Sequence, residues 1–145
     1  MTCQDIMTPE PTCCLPNETV ACIGRVMRAQ DIGSVPICDD RHHKQLLGIV
    51  TDRDLALKVV AEGRDPNTTR AEDIMTRHPV TRHSYDDILA AIEAMETHQV
   101  RRIPVTDGNG LLGIISQADI ALRYGRPDRT AEVVEQVSKA ATHRD

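Results

Sequence analysis

Three short segments of this chain occur twice, in the same order, and this duplication constrains the fold more than any other feature. The pairs are residues 5–8 and 73–76 (Asp-Ile-Met-Thr), 35–37 and 103–105 (apolar-Pro-apolar), and 47–55 and 112–120 (Leu-Gly-Ile-apolar-Thr/Ser-x-x-Asp-apolar). The first two pairs are 68 residues apart and the third is 65 residues apart, so one loop is shorter in the second copy. This register indicates two copies of one supersecondary unit, with function expected where they meet.

Composition limits what such a pair can be. The chain has 145 residues, which suits one compact domain, and it has no Trp or Phe and two Tyr. We therefore expect a core of Ile, Val, Leu, Met and Ala. The lack of aromatic rings and the net charge of −5 argue against nucleic-acid binding. No apolar run approaches the roughly 20 residues of a membrane span, and residues 1–5 do not resemble a signal peptide. The expected location is cytoplasmic, with no membrane partner.

Hydrophobic periodicity predicts the same order of elements in both copies. In the first copy we predict a strand at 11–14, a helix from Asn17 to Gly33, strands at 34–38 and 46–51, and a helix at 52–62. In the second copy we predict a strand at 79–82, a helix capped by Ser84 and Asp87, strands at 103–106 and 111–116, and a helix at 117–124.

The predicted fold class is therefore α+β, with two β-α-β-β-α repeats packed with pseudo-twofold symmetry through their sheets. The predicted boundaries are repeat 1 at 1–63, a linker at 64–72, repeat 2 at 73–126 and a C-terminal helix within 127–145.

Together, the repeated motifs and the element order resemble a tandem pair of CBS domains, also called a Bateman module. The resemblance covers roughly residues 4–123, and the chain is similar to small stand-alone bacterial CBS proteins of the hypoxic-response type. It implies a non-catalytic regulatory module that binds an adenine nucleotide, such as AMP, between the repeats. It also implies a homodimer and a protein effector reached in trans. No cofactor is expected to be required.

The chemistry of the Thr/Ser-x-x-Asp motif supports two interpretations. The hydroxyl of Thr51 or Ser116 can donate to a phosphate, and the carboxylate of Asp54 or Asp119 can accept from a ribose diol. Alternatively, these residues cap a helix, because Thr and Ser are good N-caps and Asp is favoured in a first turn. The residues alone leave both roles open.

The family architecture implies two clefts, each combining the motif of one repeat with strand ends of the other. Cleft 1 is predicted to contain Gly48, Thr51, Arg53, Asp54, Val80, Thr81, Arg101 and Arg102. Cleft 2 is predicted to contain Thr12, Cys13, Gly33, Ser34, Gly113, Ser116 and Asp119. Because guanidinium groups bind phosphate in a bidentate manner, this grouping predicts AMP in cleft 1. Cleft 2 is expected to bind more weakly, to be empty or to be selective for an uncharged tail. The glycines are expected to admit a flat ring.

Cysteine and histidine positions suggest one further feature. Cys13 and Cys38 end strands that the inferred fold makes neighbours, so a Cys13–Cys38 disulfide is a hypothesis. The other cysteines are interpreted as packing residues, and no histidine spacing predicts a metal site.

Two function classes compete with ligand sensing, an enzyme and an interaction protein. No nucleophile–base pair or functional pair of carboxylates is evident, so an enzyme is not expected. The alternative is a ligand-free CBS-pair interaction or stress-response protein, redox-controlled through Cys13 and Cys38.

Overall fold

The computed structural model describes residues 1–108 and 110–124. Its elements, in chain order, are α1 Cys3–Ile6, β1 Thr8–Pro9, α2 Val20–Gln30, β2 Ser34–Cys38, β3 Leu46–Thr51, α3 Asp52–Asp54 (followed by a π-helix, Leu55–Val60), α4 Ala71–Ile74, β4 Thr76–Arg77, β5 Arg82–His83, α5 Ile88–His98, β6 Arg102–Asp107, β7 Gly110–Ser116 and α6 Gln117–Arg123. This mixture of helices and mainly antiparallel strands confirms the predicted α+β class.

The chain divides into two compact units that do not follow the sequence repeats. Unit 1 comprises Met1–Pro11 and Val80–Asp145, and unit 2 comprises Thr12–Pro79. Each unit therefore combines the opening Asp-Ile-Met-Thr segment of one repeat with the later strands and helices of the other. The predicted repeat boundaries at 63 and 73 stay a description of the sequence, because the opening segments are exchanged between the compact units.

Unit 1 is built on a sheet with the strand order β1-β7-β6-β5. Strands β6 and β7 form an antiparallel hairpin in which Ile103 pairs with Ile115, and both side chains are fully buried. The opening segment adds β1 to the edge of β7, where Thr8 pairs with Ile114. On the other edge, β5 runs parallel to β6. The first segment of the chain thus completes a sheet made by the last strands.

Unit 2 repeats this arrangement with the strand order β2-β3-β4. Ser34 pairs with Thr51 in the antiparallel β2–β3 hairpin, and Gly48 pairs with Arg77 of β4. Strand β4 begins at Thr76, the last residue of the second Asp-Ile-Met-Thr segment, as β1 begins at Thr8, the last residue of the first. The two sheets are therefore built by the same rule, with the opening segment on the outside of the hairpin.

Each unit has its own aliphatic core. In unit 1, Ile6 of α1 packs with residues of α5, β6, β7 and α6, and in unit 2 Ile74 of α4 packs with residues of α2, β2 and β3. Ile6 is fully buried and Ile74 almost so. Burying aliphatic side chains is the main favourable contribution to folding, so each opening segment contributes to the stability of the unit that receives it.

Helices α2 and α5 lie at equivalent positions in the two repeats, and their capping residues differ in part from the predicted ones. Thr19 caps α2 by accepting from Cys22 N, and Asp31 ends it in the left-handed conformation at φ 54°, before the predicted stop at Gly33. In α5 the N-cap is Asp87, which accepts from Leu89 N. The predicted cap by Ser84 is wrong, because Ser84 N donates to Thr106 O and the residue lies beside the sheet.

Three other predicted segments differ in extent. The strand expected at 11–14 is one bridge, between Cys14 and Ile37, and the strand expected at 79–82 is shifted to Arg82–His83. The helix expected at 52–62 widens into a π-helix, where Ala61 N donates to Ala56 O. The end of the predicted linker is joined to residues 18–20 by backbone hydrogen bonds of Thr69 and Ala71, and Ala71 and Glu72 belong to α4. The predicted C-terminal helix lies outside the described residues.

Candidate functional site

The motif of unit 2 lies where β3 passes into α3. Thr51 Oγ1 accepts from Asp54 N at 3.1 Å, and Asp54 Oδ2 accepts from Thr51 N at 2.9 Å. These reciprocal hydrogen bonds form a capping box. The capping interpretation of the motif is therefore confirmed for this unit. The carboxylate retains lone pairs, because each ionised oxygen accepts more than one hydrogen bond.

The motif of unit 1 has the same geometry. Ser116 Oγ accepts from Asp119 N at 3.1 Å, and Asp119 Oδ2 accepts from Ser116 N at 2.9 Å. The two motifs are thus equivalent at the level of the backbone. We call the segments 51–54 and 116–119 the Asp54 edge and the Asp119 edge.

The glycine that precedes each motif makes room for the opening segment. A Cβ at Gly48 would lie 2.7 Å from Thr76 O and 2.8 Å from the Met75 sulfur. A Cβ at Gly113 would likewise lie 2.8 Å from Thr8 O and 2.5 Å from the sulfur of Met7. The side on which a Cβ would project is therefore filled by protein, and the expected approach of a flat ring from that side is wrong.

A basic residue in each unit holds the opening segment in place. Lys58 Nζ donates to Ile74 O at 2.9 Å, and Arg123 Nη1 donates to Ile6 O at 3.0 Å and to Met7 O at 2.7 Å. Sequence analysis missed both residues. The sequence did contain a signal for them, since both are basic and they are separated by the same 65 residues as the two Thr/Ser-x-x-Asp motifs.

The predicted strand-end residues lie next to a motif within their own unit. Arg102 pairs with Ser116, and Arg101 O accepts from Gln117 N at 3.2 Å. In unit 2, Ser34 pairs with Thr51, and Gly33 O accepts from Asp52 N at 2.9 Å. The structure therefore brings the arginines to the Asp119 edge and Gly33-Ser34 to the Asp54 edge. The predicted clefts combine residues of both units, and their grouping stays a prediction.

The remaining predicted site residues have these surroundings. Val80 packs against the core of unit 1, and Thr81 O accepts from Arg82 Nη1 at 2.7 Å. The hydroxyl of Thr12 hydrogen-bonds with the Gln30 carboxamide, and Arg53 is exposed on α3.

The five cysteines are free thiols. Burial, followed by interactions with nearby side chains, raises the pKa of Cys3 to about 11 and of Cys14 to about 12. Burial and then the neighbouring Cys13 thiol, which hydrogen-bonds with Cys38, raise the pKa of Cys38 well above its usual range. The thiols of Cys3, Cys14 and Cys38 therefore react slowly at neutral pH, because the thiolate is the nucleophile. Cys13 and Cys38 are nevertheless close together, as the disulfide hypothesis requires.

Within residues 1–108 and 110–124, no three His, Cys, Asp or Glu side chains form a group that could hold a metal ion. The exposed loop histidine His43 pairs with Asp40, and hydrogen bonding to that carboxylate raises the pKa of His43. No helix in this part of the chain is long and apolar enough to cross a membrane.

Comparison with known proteins places this architecture in a family. The CBS-domain family model matches residues 3–61 and 71–125. The chain is 41% identical over 122 residues to hypoxic response protein 1 of Mycobacterium tuberculosis, covering 83% of this chain and 82% of the relative.

Solved structures show the same likeness. A crystal structure of hypoxic response protein I with two coordinated zinc ions has a TM-score of 0.77 and 39% identity, covering 84% of this chain and 98% of that one. The CBS domain pair of protein MJ0100, in complex with 5′-methylthioadenosine and S-adenosyl-L-methionine, has a TM-score of 0.74 and 28% identity, covering 86% and 96%. With both repeats matched by the family model, this chain belongs to the CBS-domain family as a tandem CBS pair.

Proposed function

We propose that this CBS pair is a non-catalytic sensor that binds an adenine nucleotide such as AMP at the Asp54 and Asp119 edges. The observation that carries the proposal is the pair of equivalent motifs, each presenting a hydroxyl and a carboxylate at the end of a hairpin strand. A carboxylate that accepts two hydrogen bonds suits the 2′ and 3′ hydroxyls of a ribose. The related MJ0100 pair, whose bound ligands are both adenosine compounds, supports this chemistry.

Phosphate recognition is assigned to the arginines. Arg102 lies beside Ser116, so a guanidinium and a hydroxyl are available at one edge. Because guanidinium binds phosphate through paired charge-assisted hydrogen bonds, AMP is the first ligand to test. The other residues of the two clefts predicted from the sequence are retained as the proposed lining of the sites, with Arg101 and Arg102 now assigned to the Asp119 edge.

Calorimetric titration with AMP tests the function. We expect saturable binding to the wild type and at least about tenfold weaker binding to the Asp54→Asn/Asp119→Asn variant, because a charge-assisted hydrogen bond contributes about 1.5–3 kcal/mol. Asn keeps the acceptor that caps Thr51 N or Ser116 N. The matched control is Asp107→Asn, an exposed carboxylate on the β6–β7 hairpin. Equal affinities for the wild type and the double variant would overturn the assignment of the edges.

The proposed sensor also forms a homodimer. The exposed apolar side chains of Leu57, Val60 and Leu122 favour a homodimer. Val59 and Ile120, on the same helices, are buried in the cores of their own units and are not available to a partner.

We expect a protein effector in trans. The odd number of cysteines favours a reducing cytoplasm.

Redox control is the second candidate, because the thiol of Cys13 lies near that of Cys38. Oxidised glutathione would accept two electrons and two protons from the two thiols, giving a Cys13–Cys38 disulfide and two glutathione thiols. We expect the thiol titre of the denatured protein to fall from five to three. The Cys38→Ser variant should keep all four of its thiols after oxidation, whereas the titre of Cys22→Ser should fall from four to two. A titre unchanged by oxidant would remove this candidate.

A further inference from the structure

The two motif carboxylates have different partners although their capping boxes are the same. Lys58 Nζ lies 3.1 Å from Asp54 Oδ1, and the same ammonium donates to Ile74 O. The carboxylate side chain is 12% exposed and the lysine side chain 44% exposed. A partly buried pair of this kind interacts more strongly than a fully exposed one, because solvent screens it less.

In unit 1 the corresponding contacts are arranged differently. The hydroxyl of Thr8 donates to Asp119 Oδ1 at 3.0 Å. Arg123, at the repeat position of Lys58, donates to the carbonyls of Ile6 and Met7. Within unit 1 as described, no basic side chain lies within ion-pair distance of Asp119. A neutral hydroxyl therefore replaces the ammonium that Asp54 has.

This difference bears on how each carboxylate can receive a ligand. A ribose diol donates two hydrogen bonds and carries no charge, so it gains most from a carboxylate whose charge is not already compensated. At Asp54 the diol would have to share Oδ1 with a fixed ammonium. At Asp119 it would share with one hydroxyl, and Arg102 lies next to the same motif.

We propose that Lys58 is a specificity-determining residue, which holds Asp54 in an internal ion pair and so ranks the Asp54 edge below the Asp119 edge for AMP. The inference rests on the proposed function and refines it. The ranking predicted from the sequence was the opposite, with AMP at Asp54, because Arg101 and Arg102 were grouped with that residue.

Titration of single variants with AMP tests the ranking. In the wild type, Asp119→Asn should weaken the tightest binding event about tenfold or more, and Asp54→Asn should weaken it less than about threefold. Lys58→Gln should strengthen the weaker event about tenfold, since the carboxamide keeps a hydrogen-bond donor but carries no charge. Adding Asp54→Asn to Lys58→Gln should abolish that gain.

The controls separate this proposal from its premise. Lys44→Gln makes the same chemical change in a loop of unit 2 and should leave both binding events unchanged. Thermal unfolding of each variant checks that it folds, and Lys58→Arg, which keeps the charge, should retain the wild-type ranking. AMP binding that is unchanged or weakened in Lys58→Gln would overturn the role of Lys58 while leaving the proposed function intact. Absence of AMP binding in every variant and in the wild type would overturn both.

Discussion

Replacing Ile6 by Ala is expected to lower the free energy of unfolding by about 2–5 kcal/mol, although the residue lies in a four-residue helix near the chain start. Ile6 is fully buried in the core of unit 1, so the truncation removes apolar contacts and leaves a cavity. Urea denaturation gives the change in free energy. Native-state hydrogen exchange shows where stability is lost. Protection of the backbone amides should fall in Val80–Arg123 rather than in Thr12–Pro79.

Two variants serve as references for this result. Ile74→Ala, the same position in the second repeat, should reduce protection in unit 2 instead. Glu93→Ala truncates an exposed side chain on α5 of unit 1 and should change stability by no more than about 0.5 kcal/mol. If Ile6→Ala behaved like Glu93→Ala, or lowered protection mainly in unit 2, the exchange of opening segments would be contradicted.

Gly113→Ala should destabilise the protein by about 1–3 kcal/mol, because the added methyl group would overlap a backbone oxygen and the sulfur of Met7. The sulfur can move but Thr8 O is fixed by the pairing of β1 with β7. Gly48→Ala should have a similar effect in unit 2. Thermal unfolding measures the change.

The matched control is the same substitution where there is space. At Gly24, on α2, the nearest atom to an added Cβ is Leu55 Cδ1 at 4.0 Å. Gly24→Ala should therefore stabilise the protein by roughly 0.5–1 kcal/mol, since alanine is the better helix former. Opposite signs at Gly24 and Gly113 are expected. Equal effects would mean that Gly113 does not accommodate the opening segment.

The hairpin strands could be predicted from sequence because their signals are local. The bounds of β2 and β3 agree with the predicted 34–38 and 46–51, since apolar runs flanked by polar loops define them. The exchange of opening segments could not be predicted from the repeat. Two Asp-Ile-Met-Thr segments are each compatible with either hairpin, and only the register of Thr8 with Ile114 and of Thr76 with Ile49 decides.

The candidate site could also be predicted only in part from the sequence. The motif residues Thr51, Asp54, Ser116 and Asp119 were predicted because a repeated pattern marks them. The partners of the carboxylates were not. Lys58 is four residues from Asp54, a spacing found on any helix, and Thr8 lies 111 residues from Asp119. The role of the glycines was misjudged for a related reason, because the sequence does not show which side chain fills the space beside them.

A crystal structure of the protein grown with millimolar AMP tests the central claim most directly. We predict a bound nucleotide whose ribose hydroxyls lie within about 2.6–3.2 Å of a motif carboxylate, with the Asp119 edge occupied first and the phosphate of the nucleotide near Arg102. Crystals in which both edges are empty, or in which AMP lies away from Asp54 and Asp119, would contradict it.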